Sequence, residues 1–184
     1  ADRIAGKLLG REVTAAALAE IEIRGAWLQA EFWGRHWCVA AGNPLPVGPY
    51  RSMRRYLAEA PDATFANDAL LQALKRLSSV DDTHPGLRDR IEALDATPTL
   101  PAWSRGSALA LLGGGARQWV KYFDKQWCSN NATEWKQHHA WLERVRARAE
   151  VLGTSMPQNS AAELVELARL KRHLDPHADV RALY

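Results

Sequence analysis

Apolar residues recur at helical spacing along almost the whole chain, and nowhere do β-branched residues alternate with polar ones in the two-residue rhythm of a strand. The pattern predicts an all-α protein, an irregular helical bundle. Ala1–Gly10 reads as the end of a helix with Ile4, Leu8 and Leu9 on one face, interrupted by Gly6 and Gly10. Thr14 is placed to cap a long helix running to Trp37, with Leu18, Ile21, Trp27, Leu28 and Trp33 among its apolar positions and a weak point at Gly25. Gly42–Pro49 (GNPLPVGP) is a loop, because proline and glycine at this density defeat any regular element. A helix from Tyr50 stops at Pro61. Asp62 caps the next, which runs to about Leu77 with Phe65, Leu70, Leu71 and Leu74 inward. Ser78–Thr83 is a polar turn, and a further helix starts near Pro85, where a missing N–H costs nothing, and ends near Leu94.

Thr97–Pro101 (TPTLP) is extended and is the best internal boundary, dividing the chain into 1–97 and 98–184. Beyond it come a helix near Ser107, a break at Gly113–Gly115, and a long helical stretch from Trp119 to Gly153 with Ser129-Asn130-Asn131 as a possible interruption. Ser160 caps a helix through about Leu174. Asp175-Pro176 turns into a final helical segment, and the pair resembles one tetratricopeptide-type unit.

Composition narrows the function classes. The chain has 184 residues, enough for a core without metal or disulfide staples, and a net charge of +3, too small to imply nucleic acid as a partner. No stretch approaches the roughly 20 apolar residues of a bilayer span. Cys38 and Cys128 form no metal-binding spacing and read as reduced thiols. Eight tryptophans are many for this length; core packing is their main expected use, with a ligand surface or a membrane-interface belt as the other. Glu134, His138, His139 and Glu143 include two i,i+4 pairs, but adjacent histidines point about 100° apart on a helix, so the four do not converge on one ion. His173 and His177 straddle a turn. Gly113–Gly115 lacks the lysine and the preceding strand of a phosphate loop. The basic residues Lys121, Lys125, Lys136, Arg144, Arg146 and Arg148 read as a solvated face.

Two stretches point to chemistry: Ala1-Asp2-Arg3, and Asp81-Asp82-Thr83-His84-Pro85 continuing to Arg90-Ile91. Taken alone, the second is also a good helix N-terminus, with acidic residues and proline in its opening turn. Together, in this order, they resemble the HtpX-like and CAAX-prenyl-protease-type membrane zinc metallopeptidases over residues 1 to about 95. In that family a helix with HExxH supplies two zinc-binding histidines and a glutamate base. A later E-x-x-A-D-R supplies the third ligand, and a T-H-P motif follows with an arginine six residues after its histidine. The resemblance implies that Asp2 reaches a zinc-binding imidazole and fixes its tautomer without binding the metal itself. It implies that His84 and Arg90 stabilise the oxyanion of peptide hydrolysis. No HExxH is present, so no metal ligand lies within this chain, and zinc is expected in the parent protein and not in the fragment. Ala1, without a start Met, points to a cut or processed chain.

The expectation is therefore the C-terminal helical part of a membrane-associated hydrolase: residues 1–97 complete the zinc-peptidase domain, and 98–184 are an appended helical region. Its partners would be a peptide or protein substrate and the upstream catalytic and membrane segments. The fragment alone would be soluble and inactive. The alternative is a non-catalytic helical protein–protein interaction module.

Overall fold

The computed structural model describes residues 1–79, 84–103 and 108–183. It is all-α: helices and short 3₁₀ turns joined by loops, with no strand among the described residues. The helices are α1 (Asp2–Leu9), α2 (Arg11–Trp27), α3 (Trp33–Cys38), α4 (Tyr50–Tyr56), α5 (Ala63–Lys75), α6 (Leu87–Glu92), α7 (Ala116–Asn130), α8 (Ala132–Thr154) and α9 (Ala161–Leu174). They fall into two compact units, one of Ala1–Ala30 with Arg55–Ala108 and one of Glu31–Arg54 with Leu109–Tyr184. The division differs from the predicted 97/98 boundary. Residues 31–54 belong with the C-terminal half, a pairing set by contacts far apart in sequence that composition does not reveal.

The first unit has an aliphatic core. Ala15, Leu18, Ala19 and Ile23 lie at i, i+3, i+4, i+8 on α2 and meet Ala66 and Leu70 of α5 and Leu87, Ile91 and Leu94 of α6 and the turn after it. Each fully buried aliphatic side chain contributes about 2 kcal/mol. Asp62 caps α5 as predicted, its carboxylate accepting from the Thr64 and Phe65 amides. Several predicted positions differ. The long helix starts at Arg11, not Thr14, which is buried in its second turn with its hydroxyl donating to the Gly10 carbonyl at 2.9 Å. Its irregularity is a π-helical turn at Leu28–Phe32, while Gly25 sits in regular helix. Ile4, Leu8, Leu9, Ile21 and Leu71 are exposed, and on α1 the buried residue is Gly6. Helix α6 begins at Leu87 with Gly86 at its cap, two residues later than the proline-led start.

The second unit has an aromatic core. Trp135, fully buried, and Leu142 of α8 pack on Ala40, and Trp37, Trp127, Trp141 and Leu174 close around them. Carbonyls of the turn and loop that follow α3 are satisfied by α8. Trp135 Nε1 donates to Asn43 O (2.9 Å), His139 Nδ1 to Ala40 O (2.6 Å) and Arg146 Nη2 to Ala41 O (2.8 Å). The long helical stretch is two helices that meet at Asn131. Ser160 and Glu163 form a capping box on α9, which packs along α8 around Leu152, Leu167 and Ala168. The final helical segment expected after Asp175 is only a 3₁₀ turn, Arg181–Leu183, too short for a helix but pinned by buried Val180 and Leu183, so α9 pairs with α8 instead. The helix expected near Ser107 is a 3₁₀ segment over Ala108–Gly115, broken by Gly113 at φ 52°; Ser107 itself lies outside the described residues.

Candidate functional site

The two stretches that carry the family resemblance meet in the first unit. Asp2 opens α1 and Arg90 lies in α6, 88 residues later. Arg90 Nε donates to Asp2 Oδ2 at 2.7 Å and Nη2 to Oδ1 at 3.0 Å, a bidentate pair with both side chains about a quarter exposed (26% and 27%). The Arg90 guanidinium holds the Asp2 carboxyl below the usual carboxylate range, and the charge of His84 acts in the same direction. Arg90 is in turn held up by Asp2, with a smaller contribution from Glu22 on α2. His84 is exposed. Asp81, Asp82 and Thr83 lie outside the described residues.

Two features that pattern reading missed build this site. Gly6 is the first: a Cβ there would stand 2.8 Å from Leu94 Cδ2, so any larger residue at this position must push the buried Leu94 side chain aside. The second is the anchoring of α6 to the end of α5. The Gly86 amide donates to Ser78 Oγ at 2.6 Å, the Ser78 hydroxyl donates to Asp89, and Arg88 Nε donates to the Leu74 carbonyl at 2.7 Å. A Cβ on Gly86 would meet the Arg76 carbonyl at 3.0 Å. Gly6 was legible as an interruption of a helical pattern; Gly86 carried no such signal. What each glycine approaches was not legible.

Among the described residues no group of three His, Cys, Asp or Glu side chains could hold a metal ion. Both Asp2 oxygens are engaged by Arg90, and the residues present do not by themselves fit zinc. The other histidines point apart. His138 lies between the rings of Trp37 and Trp141, while His139 is spent on Ala40. His173 meets Trp141 edge-on, and His177 Nε2 accepts from Arg35 Nε at 3.0 Å. Glu143 pairs with Arg146. Cys38 and Cys128 are free and half-buried, and burial pushes both thiols up.

The second unit contains a buried group with no assigned task. His36 is almost fully buried among Phe32, Trp33, Trp127 and Trp135, with ring centroids 5.0–5.9 Å away, and its Nε2 has no hydrogen-bond partner among the described residues. Burial lowers its pKa. A hydrogen bond to the Val47 backbone and the charge of Asp124 oppose that shift.

Comparison with known proteins finds no matching family, no matching curated protein and no matching solved structure.

Proposed function

We propose that the first unit forms the downstream part of a zinc metallopeptidase site in a membrane-associated protein that hydrolyses peptide bonds. The observation that supports this is the Asp2–Arg90 pair. It joins the ends of the two stretches that resemble the peptidase family, and His84 lies close enough for its charge to bear on Asp2. In this reading Arg90 holds Asp2 ionised and in one orientation, so that the carboxylate can fix a neighbouring imidazole. Exposed His84 is the donor offered to an oxyanion, a contribution worth about 10²–10³ in kcat. Zinc enters as a property of the whole peptidase, where it would polarise the scissile carbonyl.

The first test is the reading frame upstream of the Ala1 codon. The proposal expects an HExxH, a glutamate three residues before Ala1, and flanking membrane spans. In the whole gene product His84→Ala should lower kcat by about 10²–10³. Arg90→Lys, which keeps the charge but loses the fork, should fall less and retain the fold. A frame without HExxH, or His84→Ala at full activity, overturns the proposal. A non-catalytic helical interaction module then stands as the better reading, favoured by the uncovered Ile4, Leu8 and Leu9 of α1.

A further inference from the structure

Helix α7 has three faces. Ala116, Val120, Asp124 and Trp127 face inward, at i, i+4, i+8 and i+11. A second row, Trp119, Tyr122 and Phe123, stands about half exposed (52%, 51% and 47%), and the three rings contact one another at 5.4–6.0 Å as one patch. Between the packed row and Tyr122 runs a third row, Arg117, Lys121 and Lys125, at i,i+4 spacing, all exposed and none ion-paired to a described residue. The one carboxylate of α7 is withdrawn from this surface. Asp124 accepts the Tyr50 amide at 2.8 Å, with the Gly48 backbone packed against its side chain so closely that a Cβ there would lie 2.4 Å away. Exposed Leu111 and Leu112 lead into the helix across the break at Gly113.

From this arrangement we infer that α7 is a membrane-surface helix, seating Trp119, Tyr122 and Phe123 at the headgroup level of an anionic bilayer with Arg117, Lys121 and Lys125 drawn to the lipid charge. Indole and phenol rings carry an apolar body and a polar tip, which suits the interface between water and acyl chains. Lysine and arginine stems lie along apolar surface while their heads reach the phosphates. A helix with aromatic residues on one exposed face and cations on another matches the build of interfacial helices. No helix among the described residues is long and apolar enough to cross a membrane, so the contact is with the surface. The complementarity selects the occupant: the cations have no ion-pair partner among the described residues, and the only acid on the helix is turned away. The inference rests on α7 alone and stands or falls independently of the peptidase proposal.

The full chain should sediment with phosphatidylcholine vesicles containing phosphatidylglycerol, sediment far less with phosphatidylcholine alone, and lose binding as salt rises. Replacing Arg117, Lys121 and Lys125 together by Gln should weaken binding about 100-fold, roughly fivefold for each cation removed. Trp119→Ser with Phe123→Ser should weaken it at least about tenfold. Both variants change exposed side chains, and the helical circular dichroism spectrum reports that the fold is kept. Ile4→Ser with Leu8→Ser on α1 should leave binding unchanged. Three results overturn the inference: no sedimentation with anionic vesicles, equal binding to neutral ones, or full binding by the α7 variants. A dimer in sedimentation velocity that the α7 variants dissociate, without vesicle binding, would assign the patch to a second copy of the chain instead.

Discussion

The two units solve the same packing problem with different side chains. The first closes on alanine, leucine and isoleucine, and keeps its charged chemistry, Asp2, Arg90 and His84, at the edge. The second closes on indole rings and takes an imidazole inside with them. An aliphatic core is tolerant of small changes but demands close approach, and Gly6 provides it against Leu94. An aromatic core buries more area per residue but obliges each indole N–H to find an acceptor, as Trp135 does at Asn43. The units should therefore fail differently.

The largest expected difference comes from Trp135→Ala. It empties the fully buried centre of the second unit and frees the Asn43 carbonyl, and it should cost about 3–5 kcal/mol there. Hydrogen exchange resolved by peptide should show protection lost in α3, α7 and α8 and retained in α2 and α5. Equal loss in both units would make them one cooperative block.

Next is Gly6→Val. Its added carbons must displace Leu94, at a cost of about 1–3 kcal/mol confined to the first unit. The change should also part Asp2 from Arg90, seen as an Asp2 carboxyl titrating closer to its ordinary value by NMR. An undisturbed Asp2 would mean that the pair does not depend on the approach of α1.

The smallest effect is one of pH. His36 is held neutral by burial, so its folded pKa lies below that of the unfolded chain, about 6.5. Above that value both states are neutral and its contribution to stability is complete. As pH falls through it the unfolded state takes up a proton first, and the second unit loses stability progressively toward the folded pKa. The first unit should hold over this range, because Asp2 is shifted the same way from a much lower starting value, below about 4. His36→Phe should flatten the slope of the second unit between about pH 7 and 5. An unchanged slope would assign the effect to His138, also lowered by burial.

How legible each feature is in the sequence follows from how local its cause is. Asp62, the cap at Ser160 and the break at Asn131 depend on neighbours within four residues, and they stand where the pattern places them, Glu163 completing the Ser160 cap as the structure adds. Ile4, Leu8 and Leu9 form an apolar stripe that periodicity detects, but periodicity cannot say whether another element covers it, and they are exposed. Thr14 satisfies the chemistry of a cap, yet Gly10 lets the helix begin a turn earlier. The membership of residues 31–54 in the second unit rests on contacts some 90 to 140 positions away, such as Trp135 with Asn43 and Arg35 with His177. For the candidate site, sequence singled out Asp2, His84 and Arg90 but not their arrangement. The oxyanion role assigned to Arg90 gave no hint that its guanidinium grips Asp2, nor that Ser78 fastens the turn before α6.

The indole cluster of the second unit has an optical consequence. Trp33, Trp37, Trp127 and Trp135 lie in a chain of ring contacts from 5.3 to 6.4 Å. At that separation their excited states couple, and light absorbed by one ring is passed among the others before it is emitted. The fluorescence of these four indoles should therefore change together when the core of the second unit opens, apart from that of half-exposed Trp119.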